Sequence, residues 1–326
     1  MHIECAETLF IRKNTDFTPR RKQVMDVRDN LPQKYARTKI GTTMLSLFLG
    51  IVAALAWGVH DVFVRFVTVR VSIPLALLTV IASGTMFFLP VVLWVADWQT
   101  LGVSAGLFAC AAGVIYATGY YALYNAFAIG PVRLVAPVTG AFPILSIGWA
   151  ALQGQVPTPG QICAILAIVL GVAFIAVLSD AEGAEPQGKR MAALAWAALA
   201  AFGFAATFAL GHMASQSGAA LTTVLITRIA AFVTLFTATL SFGGMPRIGP
   251  KMPWRYLLLM GACDALALGL VLMAGTLPNP EFASVAASTF GMVTILLAWA
   301  FLKERMTAPQ WAAVGVVFGG IGYLAL

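Results

Sequence analysis

Arg228 and Asp264 are ionisable residues that lie far inside two otherwise apolar stretches of the sequence. Inside a membrane, residues of this kind mark substrate or ion pathways, because a buried charge is costly. At the rise of an α-helix, they lie roughly 20 and 14 Å from the connection between their two stretches. We predict that they face each other or a common cavity, as a charged substrate site or a proton-linked carboxylate. The alternative is a buried ion pair that only holds the hairpin together.

His60, Asp61 and Arg65 form a second group, in the last third of the first apolar stretch. Asp61 and Arg65 are four residues apart, so they can pair along one face of a helix. Arg65 can also extend to the membrane surface. Histidine changes charge near neutral pH, so His60 beside a carboxylate suits a proton relay. A structural ion pair and a proton site therefore both remain open.

The third apolar stretch carries a line of tyrosines. Tyr116, Tyr120 and Tyr124 recur every four residues and share one helical stripe, with Tyr121 and Asn125 beside it. Such a stripe predicts a wall of hydroxyls and rings for an amphipathic solute. The alternative is helix packing, with the last members in the interfacial aromatic belt. Asn125 is included among the candidate binding residues.

The elements that position these residues are predicted to be transmembrane helices. Of the 326 residues, 60% are hydrophobic and 10% are charged, whereas soluble domains carry roughly 25% charged residues. A helix needs about 20 apolar residues to cross a bilayer. Ten stretches meet this requirement, near 44–67, 73–95, 102–128, 132–152, 160–179, 190–211, 219–241, 255–276, 282–302 and 308–326. Pro137 and Pro143 predict a kink or break in the fourth.

The two halves of the chain look related. Residues 152–159 resemble 302–309 at an offset of 150, and Ala56-Trp57-Gly58 resembles Ala201-Phe202-Gly203 at an offset of 145. A unit with five crossings inserts its second copy upside down, which is a transporter arrangement with the site at the repeat interface. We predict an all-α fold of ten helices in two inverted repeats. The predicted parts are a basic, disordered tail (1–43), a first repeat (44–179), a polar linker (180–189) and a second repeat (190–326).

A family resemblance rests on three motifs. They are Ala56-Trp57-Gly58, Leu134-Val135-Ala136-Pro137-Val138, and the set Leu302, Glu304, Thr307 and Gln310. The last set is similar to the pattern L-G-E-x-x-T-x-x-Q of EamA-like members of the drug/metabolite transporter superfamily. Lys303 replaces the expected glycine, and the first copy has Gly154 where a glutamate is common. The resemblance covers roughly 44–326 and implies a ten-helix basket, a central cavity and alternating access.

We therefore expect a secondary transporter that exports a small, amino-acid-like or amphipathic metabolite, with protons as a candidate coupling ion. A flippase for a lipid-linked sugar or another amphipathic lipid is the alternative. An intramembrane enzyme is disfavoured, because HExxH and Walker-type loops are absent from the sequence. No cofactor, metal or catalytic residue is expected. The net charge of +7 flanks the spans and does not indicate nucleic-acid binding.

The expected location is the inner membrane of a bacterium. Ten crossings place both termini on one side, and the resemblance implies that this side is cytoplasmic. Most basic loop residues then fall outside, against the positive-inside rule: Arg70, Arg133, Lys189, Arg190, Arg247, Lys251, Arg255, Lys303 and Arg305. We keep the cytoplasmic termini as the prediction.

Overall fold

The structure is a computed structural model, and it describes residues 19–96, 98, 101–152, 154, 156–181, 187–215, 220–243, 249, 252–274, 277 and 281–324. The chain divides into two units, residues 1–42 and 43–326. In the first unit the described residues are the beginning of α1. In the predicted tail, residues 1–18 lie outside the described residues, as do residues 182–186 of the predicted linker.

The described part of the chain is helical throughout and contains no strand. The helices are α1 (Pro19–Thr68), α2 (Ile73–Val95), α3 (Val103–Ile129), α4 (Val132–Gly140), α5 (Phe142–Leu152), α6 (Pro159–Ala181), α7 (Gln187–Ser215), α8 (Ala220–Phe242), α9 (Trp254–Ala274), α10 (Glu281–Ser288), α11 (Phe290–Leu297) and α12 (Ala308–Leu324). A π-helical turn, Ala298–Leu302, follows α11.

Seven segments of the described residues are long and apolar enough to cross a membrane. They are Met44–Thr68, Ile73–Val95, Val103–Ile129, Val132–Trp149, Gly188–Ser215, Ala220–Phe242 and Trp254–Ala274. Pro159–Ile175 and Ala286–Leu302 are apolar but shorter, and α12 has 17 residues. Length and composition therefore support a multi-pass membrane protein, with seven helices of sufficient length among the described residues.

The fourth predicted span is two helices, α4 and α5, which break at Ala141. Pro143 accounts for the break, because its nitrogen has no hydrogen to donate to the carbonyl of Thr139. A similar break at Thr289 separates α10 from α11. The two broken helices meet closely, since a Cβ added to Gly291 of α11 would overlap the backbone at Ala136.

Helix α3 packs against α7, and small residues set their spacing. Gly130 at the end of α3 lies against Ala193 near the beginning of α7, and Gly119 lies against Gly203. The two helices are therefore antiparallel, and their backbones approach closely because neither central contact residue has a side chain. Helix α3 also packs against α8, α2 packs against α9, and α6 packs against α12.

The loops before α6 and α12 share the same local structure. Gln161 accepts a hydrogen bond from the backbone N–H of Thr158 at 2.8 Å, and Gln310 does the same for Thr307 at 2.9 Å. Both are N-terminal capping boxes. The loops thus correspond at an offset of 149, one residue less than the sequence comparison indicates.

This register corrects one detail of the family comparison. Gly154 (φ +90°) corresponds to Lys303 (φ 55°), and both adopt the left-handed conformation that favours glycine. The counterpart of Glu304 is therefore Gln155, not Gly154.

Candidate functional site

Asp264, on α9, lies at the centre of a buried cluster of hydrogen-bond donors. Its Oδ2 accepts from Nη1 of Arg228 at 2.6 Å, and its Oδ1 accepts from the hydroxyl of Tyr120 at 2.5 Å. The Tyr116 hydroxyl lies 2.5 and 2.6 Å from the two oxygens and donates its single proton to one of them at a time. The Trp57 indole N–H is farther away, at 3.4 Å. This donor set stabilises the negative charge.

Arg228 projects from α8 toward both α2 and α9. Its Nη1 pairs with Asp264, and its Nη2 donates to the carbonyl of Ile81 at 3.3 Å. A Cβ added to Gly84 would overlap the guanidinium and the carbonyl of Gly261, so glycine is needed at this position. The buried Nε has no hydrogen-bond partner among the described residues. One donor of this arginine is therefore left for another acceptor.

Three buried tyrosines line the inner face of α3. Tyr116 and Tyr120 contact Asp264, while the hydroxyl of Tyr124 lies 3.1 Å from Nε2 of His60. The four-residue spacing therefore places all three hydroxyls along one side of the helix, as predicted. The stripe connects the Asp264 cluster with the His60 group.

His60 and Asp61 form a second, fully buried polar group on α1. Nδ1 of His60 lies 2.9 Å from Oδ1 of Asp61. When Asp61 is ionised it only accepts, so Nδ1 then carries the proton, and in neutral histidine Nε2 accepts from Tyr124. The hydroxyl of Thr294, on α11, lies 3.4 Å from the other oxygen of Asp61. This chain of polar groups can hold and pass a proton.

A small cavity lies between the two groups. It is lined by Trp57, Asp61, Tyr116, Tyr120, Leu123, Phe204, Phe208 and Phe290, and its volume is about 10 Å³. That is room for about one water molecule. The lining comes from both halves of the chain, and most of the lining residues are buried.

Comparison with known proteins gives the family. The model of the EamA-like transporter family matches residues 44–177 and again residues 191–326. The chain belongs to the EamA-like transporter family. The two matches confirm the two-repeat resemblance. The EamA-like protein is thus an integral, multi-pass membrane protein that transports small molecules.

Two further comparisons were made with this EamA-like chain. No curated protein matches it. One solved crystal structure has a TM-score of 0.63 and 14% sequence identity, covering 85% of this chain and 95% of its own. At this identity the similarity is one of fold.

Two sequence-predicted interactions of the EamA-like transporter differ in the structure. Arg65 does not pair with Asp61; its Nη1 donates to the carbonyls of Phe127 at 2.8 Å and Gly130 at 2.5 Å. The end of α3 supplies free carbonyls there, which attract a cation. Asn125 is half-buried and donates to the carbonyl of Tyr121 at 2.7 Å. It is therefore not brought into the cluster.

The structure adds two residues that the sequence reasoning did not assign to the site. Trp57 lies one helical turn before Asp61, and its ring packs against Phe208 and Phe290. Its spacing from Asp61 was the available signal. Thr294 gave no such signal, because only the packing of α11 on α1 brings it to Asp61. Among the described residues, no group of three or more His, Cys, Asp or Glu side chains could hold a metal ion.

Proposed function

We propose that the protein is an alternating-access secondary transporter with ten crossing helices in two inverted five-helix repeats. The repeats are residues 44–179 and 190–326, joined by a linker at 180–189, with a tail at 1–43. Three observations support this arrangement. Helix α7, which begins the second repeat, is antiparallel to α3. The fourth span of each copy is broken. The packing of α2 on α9 is repeated by that of their counterparts, α8 on α3.

The proposed substrate is a small amphipathic metabolite of amino-acid type. The observation that supports this is the buried Arg228–Asp264 pair within a ring of aromatic side chains. A zwitterion carries the same two charges. Its carboxylate can therefore form an ion pair with Arg228, and its ammonium group can form one with Asp264. Tyr116, Tyr120 and the phenylalanines of the cavity then surround its organic part.

Protons are the proposed coupling ion, and His60 and Asp61 are the proposed proton site. The two are buried beside the cavity and linked through Tyr124 to the tyrosine stripe that reaches Asp264. Binding of a proton by His60 or Asp61 changes the charge next to the substrate site. Substrate and proton binding are thereby coupled through neighbouring groups rather than at one shared carboxylate.

Export from the cytoplasm across a bacterial inner membrane is the proposed direction, with both termini cytoplasmic. The cavity is too small for a solute, having room for about one water molecule, so the site widens when the substrate binds. A reporter fused to the C-terminus tests the orientation. Activity of that reporter only outside the cytoplasm contradicts it.

The decisive test is the Asp264→Asn variant. Purified protein is first screened against a metabolite panel by thermal shift, and the stabilising solute is then used in counterflow in proteoliposomes. We expect the variant to lose at least about 100-fold in rate, because a charge-assisted contact of a buried group is removed. Cys263→Ser, at the neighbouring half-buried position, is the matched control. Normal counterflow by a monodisperse Asp264→Asn protein refutes the proposed site.

One observation favours the alternative, a flippase for an amphipathic lipid. A groove of about 560 Å³ opens on the outer side of α3 and α8, where Tyr121, Leu235 and Phe242 are among the lining residues. Phe242 is 92% exposed, so this groove faces the surroundings of the bundle and could admit a lipid chain. Movement of a fluorescent lipid between leaflets, blocked by Leu235→Trp, supports the flippase; counterflow unchanged by Leu235→Trp supports the metabolite transporter.

A further inference from the structure

Glu304 joins the second copy of the repeat to the first. It lies in the loop between the π-helical turn and α12, and its carboxylate oxygens accept from the backbone N–H groups of Val132 at 3.1 Å and Arg133 at 3.3 Å. These are the first two residues of α4. The first N–H groups of a helix have no intrahelical partner and carry partial positive charge, so a carboxylate is a favourable cap.

The turn between α3 and α4 is held from two sides. On one side Arg65 of α1 donates to the carbonyls of Phe127 and Gly130. On the other, Arg133 donates to the carbonyl of Arg305 at 2.5 Å, next to the Glu304 cap. This end of the bundle, which we call the α3–α4 end, is therefore held by contacts within the first copy and between the two copies.

The first copy has different residues at the corresponding positions of its sequence. The offset of 149 that relates Thr158 to Thr307 also relates Pro131 to Pro280. It pairs Gln155 with Glu304, and Glu281 and Phe282 with Val132 and Arg133. A neutral amide thus replaces the carboxylate, and an acidic residue begins the helix that it would cap. An amide binds helix N–H groups more weakly than a carboxylate does.

Building on the alternating-access function proposed above, we propose that Glu304 is a one-sided latch. It holds the α3–α4 end together, and release of Glu304 from α4 is the step that opens this end. The sequence carries no carboxylate at position 155, so the other end has no such latch and the central site is reached from there. In this assignment Glu304 acts through the backbone of α4 and does not contact the substrate.

The test measures from which side the cavity can be reached. Leu123, a buried lining residue, is replaced by cysteine in a background whose four native cysteines are replaced by serine. Sealed vesicles of both orientations are treated with a membrane-impermeant maleimide. We expect labelling from the opposite end only, and in Glu304→Gln an increase of about fivefold from the α3–α4 end, because two charge-assisted bonds become neutral ones.

Two further variants sharpen the result. Lys303→Gln removes the exposed charge next to Glu304 without touching α4, and we expect unchanged labelling. Gln155→Glu with Glu281→Gln gives the first copy the carboxylate that the second copy has, and we expect less labelling from the other end. The latch is overturned if Glu304→Gln leaves labelling from the α3–α4 end unchanged, or if Lys303→Gln raises it equally. Labelling needs no substrate, so this outcome is independent of the counterflow result for Asp264→Asn.

Discussion

Nη1 of Arg228 and Oδ2 of Asp264 are 2.6 Å apart, and both side chains are completely buried. The two residues belong to consecutive helices of the same repeat, α8 and α9. Each charge is compensated by the other and by hydrogen bonds from the first repeat. Neither residue can be neutralised alone without leaving the other unpaired in the interior.

Removing the guanidinium alone should therefore destabilise the protein strongly. We expect Arg228→Gln to cost about 3–5 kcal/mol of unfolding free energy, because it leaves a buried carboxylate without its counter-ion. The double variant Arg228→Gln/Asp264→Asn should recover most of this loss but not transport. Thermal unfolding in detergent and counterflow measure the two effects. Recovery of transport in the double variant would show that the pair is only structural.

The hydroxyl of Tyr120 should contribute more to substrate affinity than the hydroxyl of Tyr121. Tyr120→Phe removes a hydrogen bond to a buried carboxylate, a contribution of about 1.5–3 kcal/mol. We expect apparent substrate affinity to fall by roughly 10- to 100-fold. Tyr121→Phe is the control, because Tyr121 points to the outer groove. Equal effects of the two changes on affinity would argue against the inner stripe as a binding wall.

Transport should depend on pH through His60. The groups that face its ring are Asp61, Tyr124 and Tyr120, so the imidazole is placed to exchange a proton with a carboxylate and a hydroxyl. Falling pH favours loading of the proposed coupling site. We expect rates in vesicles to vary with pH and His60→Gln to flatten the profile.

His212→Gln is the matched control for that profile, since His212 is the other histidine of the described helices. It should leave the pH dependence intact. A flat profile in the unsubstituted protein, or a flat profile in both variants, contradicts a proton site at His60.

Gly84 should not tolerate a side chain. A Cβ there would overlap the Arg228 guanidinium, and overpacking of this kind costs about 1–3 kcal/mol. We expect Gly84→Ala to lower the melting temperature and to weaken transport by displacing Arg228. Gly106→Ala, on α3 with open space around its position, should instead stabilise the protein by about 0.5–1 kcal/mol. Similar melting temperatures for the two variants would contradict the packing argument.

Parts of this site follow directly from the sequence. Helical rise was enough to predict that Arg228 and Asp264 meet, because both lie at known distances from one connection. Spacing was enough to place Tyr116, Tyr120 and Tyr124 on one face. These predictions needed only the geometry of single helices and of one hairpin.

Other parts depended on contacts between distant segments. Arg65 had a partner at the local i,i+4 spacing, yet it binds the carboxyl-terminal end of α3, which the sequence could not bring near it. The register of the repeats was one residue out, because Leu152 matches Leu302 and Pro159 matches Pro309 at an offset of 150. Only the capping bonds and the left-handed Gly154 and Lys303 correct it.

Tyr116, one of the two tyrosines that contact Asp264, occupies the place in the first copy that Asp264 occupies in the second. Gly113, three residues before Tyr116, packs on α8, and Gly261, three residues before Asp264, packs on α2. The contact between Tyr116 and Asp264 thus joins a position to its own counterpart. A carboxylate in place of Tyr116 would face Asp264, and the two could not both ionise at that distance. The difference between the two copies therefore lets Asp264 keep its full negative charge for Arg228.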